Sequence, residues 1–244
     1  MSTRRSPRKR RSGIPSLRSR TLTPNEAVEL QRQLAPLVER RWRPARPEPS
    51  GGGARGRLPG VARVAGADVS VRGGRLRAAA VVLAFPRLEV LETSVAERPL
   101  VFPYVPGLLS IREIPVLLDA FDGLSVRPDV VLADGHGIAH PRRIGLASHL
   151  GLELDLPTIG CAKSLYVGEH REPSPRRRAR TRLVHRGERV GTCLRTRDGV
   201  RPIYVSIGHR VDLPRAERIV LRCARRYRLP LPTHLADRLA GEWS

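Results

Sequence analysis

From residue 61 the chain reads as three strand-length segments in close succession, and this run constrains the fold more than any other feature. Val61–Val71 and Leu76–Phe85 flank Arg72-Gly73-Gly74-Arg75, and Leu88–Ala96 follows. Two adjacent glycines between apolar alternating segments favour a tight hairpin, so an antiparallel meander is predicted. Beyond it the texture alternates. A helix is predicted near 114–124, a buried strand over Val130–Asp134, a helix near 144–154, a short strand over Thr158–Cys161, an extended pair across 181–205 and a helix over Arg215–Tyr227. A meander followed by helix and strand in alternation predicts an α/β protein with a mixed sheet flanked by helices.

The ends are different. Residues 1–20 carry eight basic side chains and no acid and read as a disordered basic arm. In 21–42, Thr23-Pro24-Asn25-Glu26 combines an N-cap, a proline at the first helical position and a capping-box glutamate, which predicts an amphipathic helix running to about Arg41 and packing on the main body. Residues 43–60 form a Pro/Gly/Arg linker whose glycine run lacks the Gly-Lys-Ser/Thr of a phosphate loop. The domain proper is expected over 61–240.

Composition narrows the partners. The 244 residues carry 45 basic against 23 acidic side chains, a formal charge of +22. Such a body suits a polyanion, nucleic acid first, because neutralising phosphates releases counterions. Lys9 and Lys163 are the only lysines, so arginine-favouring codon usage is the plain alternative. That bias makes Lys163 informative, since a compact ammonium has been kept where guanidinium was available. The longest apolar run, Ala78–Phe85, is too short for a bilayer span, and no apolar segment follows the basic start. Cys161, Cys193 and Cys223 are odd in number and widely spaced, which fits a reducing compartment. A cytoplasmic monomer with no membrane partner is the expectation.

Three acids stand where strands or turns deliver them. Alternation puts Asp68 on one strand face with Val64, Gly66 and Ser70, either turned inward or as an edge carboxylate facing water. Asp134 ends a short apolar strand and enters Gly135-His136-Gly137, the position at which open α/β sheets gather ligands. Glu113 falls in Ser110-Ile111-Arg112-Glu113-Ile114-Pro115. Pro115 argues against a helix beginning at Ile111, so the start is placed nearer Ile114, leaving Glu113 free. Hard oxygen donors from separate elements suit Mg²⁺, with Mn²⁺ as substitute, and such sites hydrolyse phosphodiesters. Lys163, past the next strand, is either a solvated lysine or an ammonium beside a phosphate. His209, past a strand end, is either a turn histidine or a proton carrier. His136 and His140 are four apart but lie in a loop without a zinc motif.

Four blocks in order carry a resemblance. Pro103-Tyr104-Val105-Pro106-Gly107-Leu108-Leu109-Ser110-Ile111-Arg112-Glu113, the stretch Asp134-Gly135-His136-Gly137-Ile138-Ala139-His140-Pro141-Arg142-Arg143, Pro157-Thr158-Ile159-Gly160-Cys161-Ala162-Lys163 and Tyr204-Val205-Ser206-Ile207-Gly208-His209-Arg210 closely resemble the endonuclease V family, over about Val61 to Asp237. The resemblance implies an RNase H-like fold and a Mg²⁺-dependent DNA repair endonuclease. Its members cut the second phosphodiester bond 3′ to deoxyinosine, leaving 3′-hydroxyl and 5′-phosphate ends. It implies Asp68 and Asp134 as metal ligands with Glu113 as the third acid, and Lys163 and His209 as catalytic helpers. Tyr104 would fill the gap left by the extruded base, Gly107, Leu109, Gly135 and Leu146 would line the base pocket, and His140 would sit near the DNA. Two positions depart from the family pattern: Ile111 stands for phenylalanine and His234 for arginine. Inosine-containing RNA as substrate and a non-catalytic nucleic-acid-binding role are the alternatives.

Overall fold

In a computed structural model, Leu17 and residues 21–45 and 58–243 are described, and the rest of the basic arm and most of the linker lie outside them. The meander forms as expected: β1 (Arg63–Arg72), β2 (Arg75–Ala84) and β3 (Val90–Pro99) are antiparallel neighbours. Gly73 and Gly74 both take positive φ, 54° and 71°, the left-handed pair that a two-residue hairpin requires. β4 (Val130–Ala133) and β5 (Thr158–Ala162) then add in parallel. The extended region after 180 supplies three strands rather than two, β6 (Arg180–His185), β7 (Glu188–Leu194) and β8 (Ile203–His209), all antiparallel. The sheet order is β3-β2-β1-β4-β5-β8-β7-β6, which makes β1 an interior strand and removes the edge-carboxylate reading of Asp68.

The described residues form five α-helices, of which the last four pack on the sheet. α1 (Pro24–Leu34) has the predicted capping box at Thr23 and Glu26, but ends seven residues short of Arg41 in a 3₁₀ turn. α2 (Leu109–Asp122) and α3 (Leu146–Leu154) lie on one face, α4 (Leu213–Cys223) and α5 (Leu231–Gly241) on the other. Alternation in β5 shows the two faces: Thr158 Oγ1 donates to the Ala147 carbonyl of α3, whereas Cys161 turns toward Cys223 of α4. The sequence predicts one helix over Arg215–Tyr227. The chain instead stops α4 at Cys223 and starts the separate α5 beyond Pro230.

α2 corrects the reading of Pro115. The helix starts at Leu109 and carries Pro115 in its interior. A mid-helix proline costs about 3 kcal/mol, but Ile111, Ile114, Leu117, Leu118 and Phe121 all bury here, and each buried side chain of this size contributes about 1.5–3 kcal/mol. Packing outweighs the lost hydrogen bond. Glu113 is therefore held inside a helix, 7% exposed, rather than in a free segment.

Candidate metal centre and cleft

Parallel pairing of β1 and β4 brings the first two acids together. Asp134 follows the last residue of β4, and its amide donates to the Ala67 carbonyl at 3.1 Å, beside Asp68. A third carboxylate arrives from α5. Oxygen atoms of Asp68, Asp134 and Asp237 lie within 4.8 Å of one another. Lys163, just beyond β5, joins them: its Nζ is 2.6 Å from Asp134 Oδ2 and 2.9 Å from Asp237 Oδ1. α5 can approach because residue 66 is glycine; a Cβ there would sit 1.9 Å from the Pro232 carbonyl oxygen. Glu113, named from sequence as the third acid, is outside this trio. It flanks it as a buried neighbour whose electrostatic partners include Asp68 and Asp134.

Asp237 was missed by sequence reasoning. Its signal is modest: it follows the buried Thr233 by one helical turn and adjoins the buried Ala236, so it is an acid at the border of an inward face.

The charges are poised for a cation. Burial, then the charge of Asp134, pushes Asp68 up to about 7, against the pull of Lys163. Burial, then Asp68, pushes Glu113 up to about 8, with Arg112 opposing. Burial also raises Asp134 despite its bond to Lys163. Desolvation works against the Lys163 ammonium, but the hydrogen bonds it donates to Asp134 and Asp237 outweigh it and raise its pKa. Burial favours the protonated forms of Asp68 and Asp134, protons that a divalent ion would displace, and a donor set made only of carboxylate oxygens fits Mg²⁺ or Mn²⁺.

A cleft of about 320 Å³ opens beside the acids. Its lining contains Tyr104, Gly107, Leu109, Gly135, His140 and Leu146, all named from sequence, together with Asp134 and Lys163. Gly107, at φ 83°, presents its carbonyl to three donors: Gln31 Nε2 at 2.9 Å, Arg142 Nη2 at 2.9 Å and His140 Nε2 at 3.1 Å. The Arg142 amide donates to His140 Nδ1, so this imidazole is neutral with its proton on Nε2. Burial and the neighbouring Arg142 push its pKa down to about 3. Gln31, fully buried on α1, also accepts from Arg142 Nε at 2.6 Å, a contact that the sequence did not disclose. Gly135 leaves room for Leu146, whose Cβ and Cδ2 would be 3.3 Å from an added Cβ. Tyr166 tilts against His136 and His140, and Tyr104 is 68% exposed. Burial takes His136 down to about 4, and its Nδ1 has no hydrogen-bond partner among the described residues.

His209 is not brought to this centre. It pairs with Thr158 at the start of β5, whereas Lys163 follows the other end. Five residues of strand separate the two by roughly 16 Å. Its Nδ1 accepts from the Glu39 amide at 3.2 Å, tying the segment after α1 to the sheet. Among the described residues, no helix is long and apolar enough to cross a membrane.

The family model for endonuclease V matches residues 54–238. An endonuclease V of Roseiflexus sp. (strain RS-1) is 58% identical over 181 residues, 74% of this chain and 82% of that protein. The crystal structure of the endonuclease V from Streptomyces avermitilis superposes with a TM-score of 0.79 at 39% identity, covering 95% of both chains. That of Ciona intestinalis endonuclease V, in complex with a 24mer DNA containing an inosine followed by a ribo-adenosine, gives 0.72 at 25% identity over 89% of this chain and 95% of that one. The mixed sheet with helices on both faces is thus the expected RNase H-like fold, and the chain belongs to the endonuclease V family of nucleases.

Proposed function

We propose that this protein is a DNA repair endonuclease that hydrolyses the second phosphodiester bond 3′ to deoxyinosine, leaving 3′-hydroxyl and 5′-phosphate ends. The observation that carries the reading is the trio of Asp68, Asp134 and Asp237, braced by Lys163, opening on a cleft of nucleobase size with an exposed tyrosine among its lining residues. The three aspartates would hold Mg²⁺, with Mn²⁺ as substitute. A divalent cation there supplies Lewis-acid stabilisation of the scissile phosphate and its leaving oxygen. Glu113 keeps the flank of the site acidic, and Lys163 orients two carboxylates and offers its ammonium to the phosphate. Tyr104 would stack in the space vacated by an extruded base. Extrusion is cheaper at a weakened inosine pair. The Gly107 loop, Leu109, Gly135, Leu146 and His140 would enclose hypoxanthine. A tight pocket of this kind disfavours guanine, whose 2-amino group brings a clash or an unpaired donor. His209 has no part in the chemistry.

The test is a nicking assay on a deoxyinosine duplex with Mg²⁺, beside Asp134→Ala protein and an undamaged duplex. Nicking restricted to the lesion, and lost with retained binding in the variant, supports the proposal. Equal cutting of the undamaged duplex overturns it. The Ciona complex, with a ribonucleotide after the inosine, favours a second reading in which inosine-containing RNA is cut. Matched strands with deoxyribose or ribose at that position decide between them.

A further inference from the structure

A basic and aromatic ledge borders the acids on the side away from the cleft. The turn 224–230 joins α4 to α5 and exposes Arg225, Arg226 and Tyr227. The Tyr227 ring lies face to face with His234 at 3.8 Å and 20°, one helical turn before Asp237. The turn is fixed in place. Arg228 donates to the carbonyls of Arg201 (3.1 Å), Pro202 (2.8 Å) and Lys163 (2.6 Å), Arg197 donates to the carbonyl of Arg226 at 2.6 Å, and Thr196 Oγ1 to that of Arg228 at 2.6 Å. Arg201 and Arg226 are exposed. The nearest acid in sequence, Asp198, accepts the Arg177 amide at 2.6 Å. A half-exposed aromatic stack set among arginines adds little to a core, but it matches a nucleic-acid strand, with cations for phosphates and a flat face for a base or sugar.

The two sides of the sheet give the ledge a direction. The cleft is lined by segments leading into α2 and α3, on one face, and by residues 162–166 after β5, whereas the ledge is carried by the turn between α4 and α5, on the other face, with Arg201 added from the segment before β8. The acids and Lys163 lie between them. We infer that Tyr227, His234, Arg201 and Arg226 form a landing for the strand as it leaves the catalytic acids, distinct from the base cleft. The inference rests on the nucleic-acid reading of the site; with the base in the cleft and cleavage to its 3′ side, the strand on the ledge is the 3′ segment.

Binding without divalent metal, followed by fluorescence anisotropy, tests this apart from cleavage. Labelled deoxyinosine duplexes carry a 3′ arm of about ten nucleotides or one ending about two past the cut, with matching pairs shortened on the 5′ side. Wild-type protein is expected to prefer the long 3′ arm. Tyr227→Ala and Arg226→Ala each reduce affinity for it by about 5- to 30-fold and leave the 3′-truncated duplex unaffected, whereas Tyr227→Phe retains the preference because the ring is kept. Arg226→Ala also lowers the salt slope by about one. Both side chains are exposed, and unchanged melting of the variants excludes misfolding as the cause. Equal losses on long and truncated 3′ arms, a loss that follows the 5′ arm, or no loss overturns the ledge. Absence of inosine nicking by wild type beside an intact arm preference overturns the substrate reading and leaves the ledge standing.

Discussion

Replacing Asp237 by Asn keeps the side chain's size and removes the charge that shares Lys163 with Asp134. Nicking is expected to fall by at least about 100-fold, because the site loses one of three hard donors and Lys163 one of two anchors. Steady-state rates with saturating duplex measure this, and activity within about twofold of wild type would remove Asp237 from the centre. Asp68 and Asp134 were legible because a strand fixes where a side chain points, and an acid in an apolar strand is conspicuous by alternation. Asp237 was not, because one acid on a C-terminal helix acquires meaning only when that helix is docked across Gly66. His209 was misplaced for a related reason: the sequence shows a strand end, but antiparallel pairing decides which end of the sheet it reaches, and β8 runs opposite to β5.

At the scale of elements, two contacts tie distant segments to the site. Gly66→Ala would drive a methyl into the Pro232 carbonyl, so α5 must move away from β1 and take Asp237 with it. A loss of about 1–3 kcal/mol in stability is expected, together with nicking reduced more than binding; chemical denaturation beside the nicking assay reads both. The second contact is α1, which precedes the 54–238 match to the family yet supplies the buried Gln31 to the Gly107 loop. Gln31→Ala leaves the Gly107 carbonyl with fewer donors and Arg142 Nε without the Gln31 acceptor. The ratio of kcat/KM for deoxyinosine over deoxyguanosine is expected to fall by about tenfold, since the loop is no longer pinned. A purely structural defect would depress both substrates equally. The helix itself was plain in the sequence from its capping box, but its role was not, because a glutamine facing a loop far along the chain leaves no local signal. Pro115 shows the opposite failure: a sound local rule lost to the burial of a whole helix face.

For the whole molecule, the buried acids link folding to pH and to metal. Asp68 and Glu113 titrate near 7 and 8 in the native state, against about 4 in an unfolded chain. Between those limits each of these two acids binds more protons in the native protein than in the unfolded one and takes stability away as pH rises, but the buried neutral imidazoles of His136, His140 and His149 act in the opposite sense up to about 6.5, so without metal the decline falls between about pH 6.5 and 8. A divalent ion held by the trio would compete for the same carboxylates and would be bound only by the folded chain. At about a hundred times its dissociation constant it adds about 2.7 kcal/mol, which for a domain of this size is on the order of 5–10 °C in melting temperature. Because protons and metal exclude one another, the Mg²⁺-induced rise should be large at about pH 8 and nearly absent at about pH 5. Asp68→Asn with Asp134→Asn should abolish the rise and flatten the metal-free decline. Thermal melts at both pH values, with and without Mg²⁺, measure the effect. An equal rise at both, or one that survives the double substitution, would place the ion elsewhere on the protein.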